Sequence, residues 1–192
     1  MKIPTLFGKG KTVLSFEIFP PKHGGSLTNI RETIALLAEL SPDFISVTFG
    51  AGGNSADNTT FNVAEILKNE YKIEPVVHLT CINSTKEEIT GILHRLKELE
   101  IENILALRGD KQDGIEPKTD FTYASDLVRF IRENGDFSVS AACYPEKHID
   151  SPSLTDDILN LKKKVDAGAS HLISQLFFDN NYFYDFVEKT KL

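Results

Sequence analysis

The sequence predicts an α/β protein, a (β/α)8 TIM barrel truncated to about six βα units. Three observations lead there. Six short apolar runs rich in Val, Ile, Leu and Phe begin at residues 13, 44, 75, 104, 138 and 171, a near-constant spacing of about 30 residues. Helical patterns separate them, and strand alternating with helix at that period makes right-handed βαβ units of a parallel sheet. The first run ends in Phe19-Pro20-Pro21-Lys22. Prolines there block the glycine loop that a doubly wound nucleotide-binding sheet carries after its first strand.

The elements follow in order. The first strand is expected over 13–19, and Leu27, Ile30, Ile34 and Leu37 mark the helix after it. Strands are expected over 44–49 and 75–81. Ser84 with Glu87 and Thr85 with Glu88 are capping-box pairs. They open a helix carried by Ile89, Ile92, Leu93, Leu96 and Leu99. Strands over 104–108 and 138–144 come next. A helix on Leu154, Ile158, Leu161 and Val165 then ends at Gly168, which stands where a C′ glycine belongs. The sixth strand is expected over 171–178, and the chain stops inside what reads as a sixth helix. Strands that read as near-continuous apolar runs are expected to be buried on both faces. A complete barrel takes about 250 residues. Residues 1–192 therefore read as a single catalytic barrel domain, incomplete at its C-terminal end, with no linker inside it.

Composition narrows the function. Of 192 residues, 21 are Lys or Arg and 28 Asp or Glu, for a net charge of −7. No basic run offers the clustered cations that nucleic acid needs, so the expectation is no nucleic-acid partner. A small anionic ligand held by a few local cations remains compatible. The apolar runs fall far short of the roughly 20 residues that cross a bilayer, and no apolar signal segment opens the chain. Cys81 and Cys143 make neither a disulfide framework nor a metal cluster. These features predict a reduced cytoplasmic protein with no membrane partner and no metal.

Reactive groups of a βα barrel sit at the C-terminal ends of its strands. Those ends carry Glu17, Thr48, His78, Arg108 with Asp110, Tyr144 and Gln175. Polar side chains are costly to bury without partners, so one near each of six strand ends points to a common mouth. Each also has a plainer reading. Glu17 is either half of a structural ion pair or a carboxyl in an apolar setting that favours its protonated, proton-donating form. Arg108-Gly109-Asp110 is either a turn with a local ion pair or a ligand-facing run whose glycine lets a ligand approach. His78 reads as a satisfied core histidine, Gly50-Ala51-Gly52-Gly53 as a mobile loop or a phosphate cradle, and Lys162-Lys163-Lys164 as a solvated helix face. The two cysteines read as buried thiols.

Several segments resemble the methylenetetrahydrofolate reductase family. They are Phe16-Glu17-Ile18-Phe19-Pro20-Pro21-Lys22, Val47-Thr48-Phe49-Gly50-Ala51, His78-Leu79-Thr80-Cys81, and Leu105-Ala106-Leu107-Arg108-Gly109-Asp110. The likeness continues through Tyr123-Ala124-Ser125-Asp126-Leu127 and Ala142-Cys143-Tyr144-Pro145-Glu146-Lys147-His148. It runs on through residues 161–169 to Gln175-Leu176-Phe177-Phe178-Asp179. It covers nearly the whole chain, in order.

The resemblance implies a flavin enzyme. FAD accepts a hydride from NADH or NADPH and passes it to 5,10-methylenetetrahydrofolate, giving 5-methyltetrahydrofolate in a ping-pong cycle on one flavin face. By the same resemblance, Glu17 is the general acid that helps open the folate's imidazolidine ring. Asp110 is the carboxylate near flavin and pterin, Gln175 orients the pterin and meets the nicotinamide, and Thr48 lies at the nicotinamide and flavin face. Phe49, Ala51, His78, Leu107, Arg108, Gly109, Asp110, Tyr123, Ala124, Tyr144, His148, Asp157, Asn160, Lys163 and Lys164 are FAD contacts, the lysines serving the pyrophosphate. Position 163 is often Arg in the family, and Lys keeps the charge without the bidentate fork. The full-length protein is implied to be a cytoplasmic homo-oligomer of one-carbon metabolism and methionine biosynthesis. Two rivals stand beside this reading: a proline-dehydrogenase-like flavin barrel, and a truncated, non-catalytic flavin- or folate-binding fragment.

Overall fold

The computed structural model describes residues 1–21, 27–49, 58–111, 114 and 116–191. A 3-10 turn, Ile3–Leu6, precedes β1 (Ser15–Ile18), α1 (Leu27–Ala38), β2 (Phe44–Val47), α2 (Thr59–Asn69), β3 (Glu74–Thr80) and α3 (Lys86–Glu98). β4 (Asn103–Leu107), α4 (Ala124–Asn134), β5 (Ser138–Cys143), α5 (Leu154–Asp166), β6 (His171–Ser174) and α6 (Asn180–Thr190) follow. The six strands pair in parallel in the order β1-β2-β3-β4-β5-β6. Strictly sequential order is that of a curling βα barrel, since a doubly wound sheet reverses direction at a switch point. All six expected strands are present. The last is shorter than expected: after Ser174 the chain leaves the sheet, although Gln175 N–H still donates to Cys143 O at 2.8 Å.

Period two sorts the strand side chains onto two faces. One set, with Ile45, Val47, Val77, Leu79, Ile104, Ala106 and Val139, packs against Ile34, Phe61, Leu67, Ile89, Leu93, Leu127 and Ile131 of the helices. Full burial of each such aliphatic side chain contributes about 1.5–3 kcal/mol. The alternate set faces the barrel interior. There Phe44, Val76 and Leu105 form an apolar floor with Ile3 and Leu6 of the 3-10 turn. Asn103 ties that turn to the sheet. Its Oδ1 accepts from Ile3 N–H at 2.9 Å, and its Nδ2 donates to Met1 O at 2.8 Å and to Glu74 Oε1 at 3.1 Å. The floor leaves the opposite, C-terminal end of the interior to polar groups.

Burial on both faces holds for β2 to β5 but not for the outer strands. Ser15 and Glu17 of β1 and Leu172 of β6 are exposed, because each of these strands has a neighbour on one side only among the described residues.

Helix ends follow local chemistry. Thr85 Oγ1 accepts from Glu88 N–H at 3.2 Å, and Glu88 Oε2 accepts from Thr85 N–H at 2.7 Å, a complete capping box on α3. The other expected pair, Ser84 with Glu87, does not form, because Ser84 Oγ donates instead to Thr80 O at 3.4 Å. After α5, Gly168 N–H donates to Val165 O at 2.9 Å and Ala169 N–H to Lys164 O at 3.1 Å. With Gly168 at φ +113° this is a Schellman ending, as its place in the sequence implied. Among the described residues, no helix is long and apolar enough to cross a membrane.

Candidate active site

Two adjoining cavities open at the C-terminal ends of the strands. The first, about 490 Å³, is lined by the strand-end groups Glu17, Thr48, His78, Arg108, Asp110, Tyr144 and Gln175 together with Phe49, Leu107, Gly109 and His148. The second, about 290 Å³, is lined by Tyr123, Ala124, Asp157, Asn160, Lys163 and Lys164. The two share Leu107, Arg108, Ala142, Tyr144 and His148. The fold therefore brings every sequence-derived candidate to one connected region except Ala51, which lies outside the described residues with the rest of the 50–53 loop. Sequence reasoning passed over Thr80, Ile82, Asn83, Ala142, Ile173 and Ser174 in the first cavity and Ser125, Asp150, Ser151 and Pro152 in the second. The alternation of inward positions along β3, β5 and β6 was enough to place Thr80, Ala142 and Ile173. The loop residues carried no such signal.

Glu17 differs from its expected setting. Its side chain is 51% exposed, because β1 is an outer strand. The apolar surroundings expected of it are not formed by the free chain. Among the described residues it pairs with no Arg or Lys: Oε2 lies 3.4 Å from His78 Nε2, in contact but not aligned as a hydrogen bond. His78 is 8% exposed at its side chain. Burial pushes its imidazole from 6.5 down to about 4, so at neutral pH the contact joins a carboxyl to a neutral ring. The plain reading of His78 as a satisfied core histidine fails too, since Nε2 is buried without a hydrogen-bond partner among the described residues.

Arg108-Gly109-Asp110 forms no internal ion pair. Arg108 donates to Asp150 Oδ2 at 2.8 Å, in the loop after β5, and to Gly109 O at 3.2 Å. Gly109 adopts φ +85°, and an added Cβ would stand 3.1 Å from Thr80 Cβ and 3.3 Å from Ile82 Cγ2. Its first service is thus to let the end of β4 cross closely over the end of β3. That crossing is sealed by Cys81 and Ile82 N–H groups donating to Arg108 O at 3.1 and 2.8 Å.

The second cavity is cationic on one wall. Lys164 reaches inward from α5, donates to Ala142 O at 2.9 Å and sits 5.7 Å from the centre of the Tyr144 ring. Burial draws its ammonium below the usual lysine range, against the pull of Asp157. Lys163 donates to Asn160 Oδ1 at 2.9 Å. Lys162, by contrast, pairs with Asp166 at 2.6 Å, the solvated face expected of the run. The N-terminus of α4 borders the same cavity through its cap residue Tyr123 and first residues Ala124 and Ser125, while the Asp126 carboxylate of its first turn accepts from Thr122 and Tyr123 N–H at 3.1 and 2.9 Å. His148 stands between the cavities. It meets the Tyr144 ring edge-on at 4.6 Å, its Nδ1 accepts from Asp150 N–H at 3.1 Å, and its own N–H donates to Asp157 Oδ2 at 3.1 Å. An accepting Nδ1 places the neutral ring's proton on Nε2. Burial, with the nearby carboxylates of Asp157 and Asp110, pushes the Tyr144 hydroxyl up, so it remains a donor at neutral pH.

A cavity with carboxyl, imidazole and amide groups, joined to a cation-lined recess beside a helix N-terminus, suits a polar ligand that carries an anionic group. Fold and site together define a βα-barrel-type protein with a polar, ligand-sized mouth at the C-terminal ends of its strands.

The chain belongs to the methylenetetrahydrofolate reductase family, whose profile matches residues 2–192. It is 41% identical over 172 residues to the 5,10-methylenetetrahydrofolate reductase of Escherichia coli (strain K12), covering 89% of this chain and 57% of that protein. Against methylenetetrahydrofolate reductase (NADH) 1 of Arabidopsis thaliana the identity is 39% over 201 residues, covering 97% and 34%. The chain thus spans a little over half of the bacterial relative and about a third of the plant one. Among solved structures, a phosphoenolpyruvate phosphomutase from Streptomyces platensis subsp. rosaceus superposes with TM-score 0.68 at 14% identity, covering 98% of this chain and 68% of that one. A Clostridium thermocellum protein described as binding two copies of 5-methyl-5,6,7,8-tetrahydrofolic acid gives 0.64 at 15%, covering 94% and 60%. At these identities the likeness is one of fold.

Proposed function

We propose that this chain carries the cofactor and substrate face of an FAD-dependent reductase that converts 5,10-methylenetetrahydrofolate to 5-methyltetrahydrofolate with NADH or NADPH. The observation that carries the reading is the adjacency of the two cavities. Glu17, His78, Asp110 and Gln175 line one, Lys163 and Lys164 line the other, and Arg108 borders both. FAD, when bound, supplies the hydride carrier between nicotinamide and folate.

The residues present fit that group. Lys163, Lys164 and the α4 N-terminus suit a pyrophosphate, which charge-assisted donors hold most strongly. Leu107, Phe49 and Ile173 would offer apolar contact to the ring system of FAD, and Thr48 and Gln175 would offer hydrogen bonds. Tyr144 and His148 link the two regions, each offering one hydrogen-bond donor.

Glu17 is the proton donor of this reading. A folate seated in the cavity removes the water that the free carboxyl meets, which favours the neutral acid and places its proton near the substrate nitrogen. Neutral His78 beside it supplies no positive charge to hold the carboxylate ionised. Asp110, on the same cavity, accepts hydrogen bonds from the pterin, and Gln175 offers both donor and acceptor to orient it. The intact protein is read as a cytoplasmic homo-oligomer on its family's pattern.

The test is an absorbance spectrum of the purified chain mixed with FAD, before and after anaerobic NADH, and then after methylenetetrahydrofolate. Protein-bound flavin bands that bleach with NADH and return with the folate support the reading. Bound colour without bleaching would favour a binding fragment, and no bound colour would overturn the assignment.

A further inference from the structure

We propose that Asn83 is a ligand-reading residue, its side-chain oxygen accepting a hydrogen bond from a ring N–H of the planar heterocycle in the first cavity. The inference rests on the function proposed above and adds to it a residue that neither the family resemblance nor the strand-end pattern assigned.

Asn83 lines the 490 Å³ cavity, and its Oδ1 is buried with no hydrogen-bond partner among the described residues. A second buried polar atom without a hydrogen-bond partner among the described residues, His78 Nε2, belongs to the same cavity lining, with Glu17 Oε2 in non-bonded contact at 3.4 Å. A buried acceptor left unpaired is costly, so a folded chain keeps one where something else gains from it. An imidazole nitrogen and an amide oxygen lining one cavity are hydrogen-bonding groups of the kind that read the edge of a polar heterocycle.

The turn that presents Asn83 is held on several sides. Ser84 N–H donates to Cys81 O at 3.0 Å, closing a four-residue turn with Ile82 and Asn83 at its centre. Ile82 N–H donates to Arg108 O at 2.8 Å, and Ile82 O accepts from Lys118 N–H at 2.9 Å. Lys118 is itself held by Glu88 at 2.7 Å, and Glu88 belongs to the capping box of α3. The amide is therefore presented by a backbone fixed at both flanks. A group pre-set in this way loses little freedom when a ligand arrives.

The ligand chemistry this asks for is a cyclic amide N–H. Both the pyrimidinedione ring of a flavin and the aminopyrimidinone ring of a pterin carry one. The experiment separates these sources by titrating FAD and 5-methyltetrahydrofolate independently into wild type and Asn83→Leu, with calorimetric affinities and thermal melting of the ligand-free proteins. Leu matches the volume and removes the acceptor. The expected result is a roughly tenfold loss of affinity for one probe, the size of one hydrogen bond of about 1.4 kcal/mol. The ligand-free variant should melt at or above the wild-type temperature, because an unpaired buried oxygen has been removed. Asn83→Asp, which keeps an oxygen acceptor, should retain more affinity than Asn83→Leu. Loss confined to FAD assigns the flavin edge, and loss confined to the folate assigns the pterin edge. Unchanged affinity for both probes overturns the proposal and leaves the function intact. A lower melting temperature accompanied by loss of both probes also overturns it, since the residue is then structural. If Asn83→Leu does not fold, Asn83→Ser, too short to reach the ligand, carries the same expectations. Wild type that binds neither probe defeats the function and this proposal together.

Discussion

Acid should weaken this fold through His78, by an amount that the structure sets. The imidazole belongs to β3, inside the barrel, and burial takes it from 6.5 to about 4. The folded-state value lies below the unfolded one, so between those two pH values the unfolded chain binds a proton that the folded chain refuses. Stability from this group is complete above pH 6.5 and falls as pH drops toward 4. The gap is 6.5 − 4, or about 2.5 pH units, and at 1.36 kcal/mol per unit it amounts to about 3 kcal/mol. The perturbation is His78→Gln, which removes the titration and keeps a polar side chain. Urea unfolding of both proteins at pH 7 and pH 4.5 isolates the effect. Wild type should lose about 2 kcal/mol more than the variant on acidification. His171, whose imidazole burial also pushes down, titrates in both proteins and cancels in the difference. Glu17 Oε2, 3.4 Å from Nε2, pulls the other way. Equal losses in the two proteins, or an NMR midpoint for His78 at or above 6.5, would show that this carboxylate outweighs burial and would refute the reasoning.

Reversing both charges of the cationic wall with Lys163→Glu and Lys164→Glu should weaken FAD binding by a few kcal/mol, as repulsion replaces charge-assisted contacts; equilibrium dialysis showing unchanged affinity would exclude a phosphate role for them. Gly109→Ala should destabilise by about 1–2 kcal/mol from the left-handed backbone alone, more if Thr80 and Ile82 cannot shift, and a melting temperature within a degree of wild type would contradict the close crossing. Thr85→Ala should cost about 1 kcal/mol by opening the α3 capping box, measured by urea unfolding. Glu17→Gln should leave FAD affinity and its bleaching by NADH near wild type while slowing reoxidation by methylenetetrahydrofolate about 10²- to 10⁴-fold in stopped flow; an equal slowing of both half-reactions would remove Glu17 from the acid role.

Much of the fold was legible because its signals are local. Apolar runs such as 75–81 and the capping pair Thr85 with Glu88 declare strand and helix within a few residues, and the regular period implies sequential parallel order. The strand-end groups were legible for a related reason: a polar residue near the end of a buried strand is conspicuous. What escaped depends on neighbours distant in sequence. The exposure of Glu17 follows from the outer place of β1, which its own residues do not encode. Asn83 sits in a turn of ordinary composition, whose backbone is tied to the distant residues Arg108 and Lys118, and the burial of its amide oxygen shows only in the folded chain.

The Arg108-Gly109-Asp110 run shows the same limit and how the site uses it. Adjacent opposite charges suggest a local pair, yet the reversal at Gly109, with φ +85°, gives the two side chains different company. Arg108 meets Asp150, 42 residues on in sequence, while Asp110 lines the first cavity. The Arg108–Asp150 pair is partly exposed, at 26% and 58% of the two side chains, so solvent screens it and it holds Arg108 only weakly. A charge-assisted bond from the same guanidinium to a ligand anion contributes about 1.5–3 kcal/mol. On the proposed function, Asp150 holds Arg108 at the border of the two cavities by a screened contact that a ligand anion competes with. Pairing with Asp110 would have neutralised the carboxylate that the first cavity presents. The long-range partner leaves both charges of the run available to a ligand.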